Sequence, residues 1–112
     1  MSSVPHHRVL IIGSGSVTHN LREFGRHRYD SAPPLWVSGF NDWLCDSLRS
    51  SDRSALIDYR AQAPHAVRNH PTEEHLLPLF AAAGAGTGGV RPQRLHSGYT
   101  YGVIGMDAWR FD

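Results

Sequence analysis

An α/β fold, a sheet with helices packed on it, is predicted for this chain, and three observations carry the prediction. "RVLII", Arg8 to Ile12, is an apolar run rich in β-branched residues that ends in the glycine turn Gly13-Ser14-Gly15-Ser16 and leads into "THNLREF". Strand, tight turn and helix in that order form the unit from which α/β folds are assembled. Apolar residues then recur at helical spacing in several later segments. Near the end, "GYTYGVIGMDAWRF" combines aromatic and β-branched residues with punctuating glycines, the composition of one or two closing strands. With 112 residues the chain has the size of one domain with one modest core, so residues 1–112 are expected to form a single unit.

The elements follow in order. Arg8 to Ile12 is apolar rather than alternating, the pattern of a strand covered on both faces. Gly13 and Gly15 permit a sharp turn after it. "THNLREF" begins a short helix with Thr18 as its cap. From Leu35, the residues Trp36, Phe40, Trp43, Leu44 and Leu48 recur at spacings of four, three, one and four, which is one face of an amphipathic helix and a core stripe. "SSDRSALIDY" offers Ser51 or Asp52 as a cap for a helix carrying Leu56 and Ile57. "HPTEEHLLPLFAAAGAG" opens a further helix with Thr72 as N-cap, Glu73 and Glu74 in the first turn, a bend at Pro78 and a stop at Gly84. "GAGTGGVRPQR" reads as a glycine-rich surface loop.

Composition excludes several functions. Lys+Arg 11 against Asp+Glu 10 leaves a formal charge of +1 with no basic run, so nucleic acid is not expected as a partner. No segment approaches the roughly 20 apolar residues of a membrane span, and "MSSVPHHRVLIIG" lacks the longer apolar stretch and small-residue cleavage site of a signal peptide. The single Cys45 precludes an internal disulfide and fits a reducing cytoplasm as a small buried residue. A cytoplasmic protein without a membrane partner is therefore expected. His 8 is the unusual count, since imidazole supplies neutral-pH proton donors, acceptors and metal ligands.

The glycine turn is not a phosphate loop. A dinucleotide fingerprint needs a third glycine where Thr18 stands, a Walker loop needs a Gly-Lys-Ser/Thr that is absent, and a serine elbow needs Gly-x-Ser-x-Gly where the chain reads Gly13-Ser14-Gly15-Ser16-Val17. What remains is a turn at the carboxyl end of a strand, where α/β proteins place ligands, with His19 just beyond it. His19 is then either a functional residue or a helix-terminal histidine bonded to backbone. His75, expected beside Leu79 on a face with Leu76, Phe80 and Ala83, is either a core histidine or a metal ligand presented from a rigid helix.

"GSGSVTHNL", "FNDWLCDSL", "LIDYRAQAPHAVRNHPTEEHLLPLFAAAGA" and the closing "GVIGMDAWRF" resemble the class III extradiol ring-cleavage dioxygenases, the LigB-like superfamily, and within it the branch of the DOPA 4,5-dioxygenases. The likeness runs over essentially the whole chain and covers the carboxyl-terminal half of the family's catalytic domain. Its amino-terminal motifs, an His-Gly-Ser-Pro loop and a later Asp-His-Gly segment, have no counterpart; "PHHR" lacks the Gly-Ser-Pro, so His6 and His7 are read as a solvated terminus.

The resemblance implies a non-haem Fe(II) enzyme, with Zn(II) as the other metal, that opens a catechol-type ring with dioxygen. It implies that His19 is a metal ligand or the acid/base that handles the catechol proton, and that His75 is a metal ligand of the same site. Glu74 and Asn20 are the substrate-side candidates: Glu74 as a carboxylate, otherwise a solvated partner of the helix dipole, and Asn20 chiefly as the residue that orients the turn. Fe(II) held by two histidines and a carboxylate leaves one face open for catecholate and dioxygen, and a histidine near its ordinary titration range can take a phenolic proton. Asp107 and Trp109 are expected to pack. Two other readings stand beside this one: an inactive truncated fragment with a sticky exposed strand, or a small metal-binding or interaction subunit that completes its sheet with a partner chain or a second copy of itself.

Overall fold

In the computed structural model, which describes residues 10–86 and 91–112, six helices and four short strands follow one another along the chain. The helices are α1 (Leu21–Phe24), α2 (Leu35–Arg49), α3 (Arg53–Ile57), α4 (Tyr59–Gln62), α5 (Ala66–Asn69) and α6 (Leu77–Ala85). The strands are β1 (Gln93–His96), β2 (Tyr99–Thr100), β3 (Ile104–Gly105) and β4 (Ala108–Arg110). β1 pairs antiparallel with β4, and β2 with β3, giving two small two-stranded sheets.

The long amphipathic helix predicted from Leu35 is α2, and its apolar stripe organises the core. Phe40, Leu44 and Leu48 are buried with Val17, Tyr59, Ala63, Ala66 and Leu76, and Trp43 packs against them. On the next face Trp36 and Val37 meet Val103. Burial of each such side chain contributes about 1.5–3 kcal/mol, so α2 is the element on which the rest of the chain is assembled. Cys45 is buried and free, as expected. Asp52, one of two predicted caps, starts α3 by accepting from the Ala55 amide, though Ile57 at the end of that helix faces solvent.

Several expectations are corrected. Leu10, Ile11 and Ile12, the described part of the predicted buried strand, belong to no strand and are exposed, Leu10 at 81% and Ile12 at 78%. A strand exists by pairing, and no described residue pairs with this segment. Asn20 rather than Thr18 caps α1, because Thr18 spends its hydroxyl on the Val103 carbonyl at 3.0 Å while the Asn20 side chain accepts from the Arg22 amide. The helix predicted to open at Thr72 begins only at Leu77, so Pro78 lies in the first turn, where its missing N–H leaves no hydrogen bond broken and no bend is required. Gly84 does not stop that helix, which runs to Ala85 with Gly86 as its C-cap. The predicted loop falls partly on residues 87–90, outside the described residues, as do His6 and His7.

Candidate functional site

Two turns that are distant in sequence form the site. The first, Gly13 to Asn20, follows the exposed apolar segment; the second, residues 71–76, precedes α6. Backbone contact joins them: the Ser16 amide donates to the His75 carbonyl at 2.8 Å. A Cβ at Gly15 would stand 2.2 Å from that carbonyl oxygen, and one at Gly13 would stand 2.1 Å from the Pro78 oxygen. The two glycines are therefore present for close approach of main chain to main chain, one of the roles only glycine fills.

The approach brings the two predicted histidines together. The His19 and His75 rings stack with centroids 3.6 Å apart and planes 23° from parallel. His75 is part exposed and sits in the turn before α6, so it is not the core histidine on a helical face that the apolar pattern allowed. The proton affinity of His19 is held below the usual histidine range, first by loss of hydration and next by the neighbouring His75. Two stacked cations would repel at this distance, so the pair favours a neutral His19 at neutral pH.

Asn20 is buried and both polar atoms of its side chain are engaged, Oδ1 by the Arg22 amide at 3.0 Å and Nδ2 donating to the Arg68 carbonyl at 2.6 Å. Glu74 is exposed, with its Oε1 3.9 Å from His75 Nε2. Its carboxyl is held below the ordinary range, chiefly by a hydrogen bond from the Thr72 side chain. Beside His75 runs a groove of about 560 Å³ lined by Leu10, Ile12, Gly13, Leu79 and Leu95 among others.

Sequence reasoning missed the residues that hold the first turn. His70 is wholly buried and donates from Nε2 to the Val17 carbonyl at 2.7 Å. The Asn69 carbonyl accepts from the His19 amide at 3.0 Å, while the Asn69 side chain donates to the carbonyls of Trp36 and His65. Arg68 stacks its guanidinium 4.1 Å from the Trp36 ring centre and donates to Glu23 at 2.7 Å, which lowers the proton affinity of that carboxylate and ties α1 to α5. One signal was readable: Pro71 keeps His70 out of helical backbone, so α5 must end there. Asp107 and Trp109 pack as expected. The Asp107 carboxylate is enclosed and accepts from Arg94 Nε at 2.8 Å and Asn41 Nδ2 at 3.2 Å.

The described residues contain no cluster of three or more His, Cys, Asp or Glu able to hold a metal. A facial triad needs two histidines and a carboxylate, and the stacked pair supplies two imidazoles with Glu74 turned to solvent. These residues alone do not fit a complete metal centre.

Comparison with known proteins decides the kinship. The family model for the catalytic LigB subunit of aromatic ring-opening dioxygenase matches residues 2–109. The chain belongs to the LigB family. It is 32% identical over 104 residues to the 4,5-DOPA dioxygenase extradiol of Portulaca grandiflora, covering 92% of this chain and 38% of that protein. The enzyme of the same name from Escherichia coli K12 is 34% identical over 83 residues, covering 71% of this chain and 30% of that protein. The crystal structure of an uncharacterized Escherichia coli K12 protein superimposes with a TM-score of 0.71 at 29% identity, over 86% of this chain and 40% of that one. This LigB-family chain thus spans about two fifths of the length of the relatives it matches. The superposition also supports an α/β domain of which this chain is a part.

Proposed function

We propose that the chain carries the proton-handling part of an extradiol dioxygenase site acting on a catechol-type aromatic. The observation that carries the reading is the stacked His19–His75 pair, two histidines predicted from separate motifs and found 3.6 Å apart. In the reaction one carbon–carbon bond beside the diol breaks and both atoms of dioxygen enter the ring-opened product. A catechol must lose phenolic protons before it can be oxidised. His19, neutral because burial and His75 both disfavour its cation, is the base for one of them, and His75 limits how long the proton stays there. Glu74 stands at the solvent side, where its carboxylate meets a polar substituent of the substrate, and Asn20 acts through the turn it holds.

Fe(II), or Zn(II) in its place, is the expected metal, with His19 and His75 as donors only when further ligands are brought to the pair. In the same proposal, residues 1–112 act as one unit, the carboxyl-terminal half of the catalytic domain, in a cytoplasmic setting. Among the described residues no helix is long and apolar enough to cross a membrane.

A second reading has its own observation. The exposed Leu10–Ile12 segment beside the groove fits an interaction subunit that completes a sheet with a partner chain or a second copy, whereas an inactive fragment would expose the same residues and aggregate. The test is an anaerobic Fe(II) titration of the purified chain with His19→Ala and His75→Ala beside it, followed by a catechol and dioxygen. Binding and ring opening lost in both variants support the enzyme reading. A folded, monodisperse parent that neither binds Fe(II) nor opens the ring removes it for the isolated chain.

A further inference from the structure

We propose that His70 is a positioning residue, whose Nε2–H holds the Val17 carbonyl and thereby sets His19 in register against His75. The inference rests on the proton-handling reading of His19, but its evidence is independent of turnover.

Three hydrogen bonds join the segment Val17 to Asn20 to the end of α5 in an ordered ladder. His70 Nε2 meets the Val17 carbonyl at 2.7 Å, the Asn69 carbonyl receives the His19 amide at 3.0 Å, and the Arg68 carbonyl receives Asn20 Nδ2 at 2.6 Å. The middle rung belongs to His19 itself, and the rungs on either side are made by side chains. A carbonyl oxygen only accepts, so Nε2 carries the proton and Nδ1 is left with a bare lone pair. That Nδ1 is buried and meets no partner among the described residues.

An orphaned buried acceptor costs about 1–3 kcal/mol, and a leucine of comparable size would avoid that cost. Packing alone therefore does not explain a histidine here. The ring lies 5.5 Å from Phe40, among side chains of the core, and anchors the turn to the rigid α2 body rather than to solvent. What only this residue adds is one directed N–H. Without it the Val17 carbonyl, at the base of a turn whose other face is the glycine-rich stretch, loses its core-side anchor, and the ring carried two residues later is free to slide off its partner.

The experiment is solution NMR on the full chain, comparing the parent with His70→Gln, which keeps an amide N–H near the Nε2 position, and His70→Leu, which keeps bulk without a donor. Long-range nitrogen–proton spectra of the parent are expected to show His70 as the Nε2–H tautomer. The ring-to-ring nuclear Overhauser contact between His19 and His75 is expected to be retained in the glutamine variant and lost in the leucine variant, with both still folded by amide dispersion. Rescue by glutamine separates a directed hydrogen bond from mere filling of space. An Nδ1–H tautomer in the parent, a leucine variant with the His19–His75 contact intact, or a folded glutamine variant that has lost it overturns the proposal. Should the leucine chain not fold, the tautomer and the glutamine variant still decide it. Because nothing is turned over, a chain inactive on catechol leaves this result standing, whereas a leucine variant that has lost the His19–His75 contact and still opens the ring refutes the proton-handling reading of His19 and not the role of His70.

Discussion

Substituting Gly15 by alanine tests whether main-chain contact builds the site. The added Cβ would lie 2.2 Å from the His75 carbonyl oxygen, where real contacts essentially never fall below 3.0 Å. The oxygen must retreat by about 0.8 Å, and the obstacle is backbone, not a flexible side-chain end. That oxygen also accepts the Ser16 amide at 2.8 Å, so the same retreat draws the bond toward the limit of hydrogen-bonding distance. Overpacking of about 1–3 kcal/mol and the loss of one hydrogen bond worth about 1 kcal/mol together predict a destabilisation of roughly 2–4 kcal/mol. At roughly 4 °C per kcal/mol for a chain of this size, thermal unfolding followed by circular dichroism falls by roughly 8–16 °C. Gly39→Ala is the control: it lies inside α2, where an added Cβ would meet nothing within 4 Å among the described residues beyond its own stretch of helix, and is expected to stabilise by about 0.5–1 kcal/mol. If Gly15→Ala melts with Gly39→Ala and keeps the contact between the His19 and His75 rings, close approach is not why glycine stands at position 15.

Three further outcomes follow from the same contacts. Burial holds His70 neutral and lowers its pKa to about 4, so the unfolded chain binds the proton first; stability is full above pH 6.5 and declines by up to about 3 kcal/mol as pH falls toward 4, a slope in denaturant midpoints that His70→Gln should flatten. Asn20→Ala removes the α1 cap and the bond to the Arg68 carbonyl, lowering stability by about 1–2 kcal/mol in urea unfolding; an unchanged midpoint would mean that neither bond forms in solution. Ile12→Lys replaces an exposed apolar side chain, so light scattering at high concentration should fall while the unfolding free energy stays within about 0.5 kcal/mol of the parent; a large loss of stability would show that Ile12 is buried after all.

Periodicity made α2 readable from the residues alone, because a stripe spaced by three and four has one arrangement that buries Phe40, Leu44 and Leu48 together. Asp52 was readable as a cap for the same local reason: its side chain bonds an amide three residues on, and distant parts of the chain have no vote. The two site histidines were readable as motif residues, and the resemblance placed them in one site, though not as a stacked pair. Where local signals competed with distant ones, the sequence was a poor guide. Thr18 has every property of a cap, yet its hydroxyl serves Val103, 85 positions away, and the cap passed to Asn20. Arg8 to Ile12 has every property of a buried strand, yet burial and pairing need a neighbour that no described residue provides.

Spacing and local hydrogen bonding thus determined the long core helix and the Asp52 cap, since each depends on residues within a turn or two of one another, and the resemblance carried by the motifs implied the family, its α/β class and the two histidines. Only the tertiary structure decided that Gly15 lets two backbones touch, that His19 and His75 stack, and that His70 rather than His75 is the histidine sealed in the core. Those facts depend on contacts between segments some fifty residues apart, and a sequence records the identity of such partners without recording their distance.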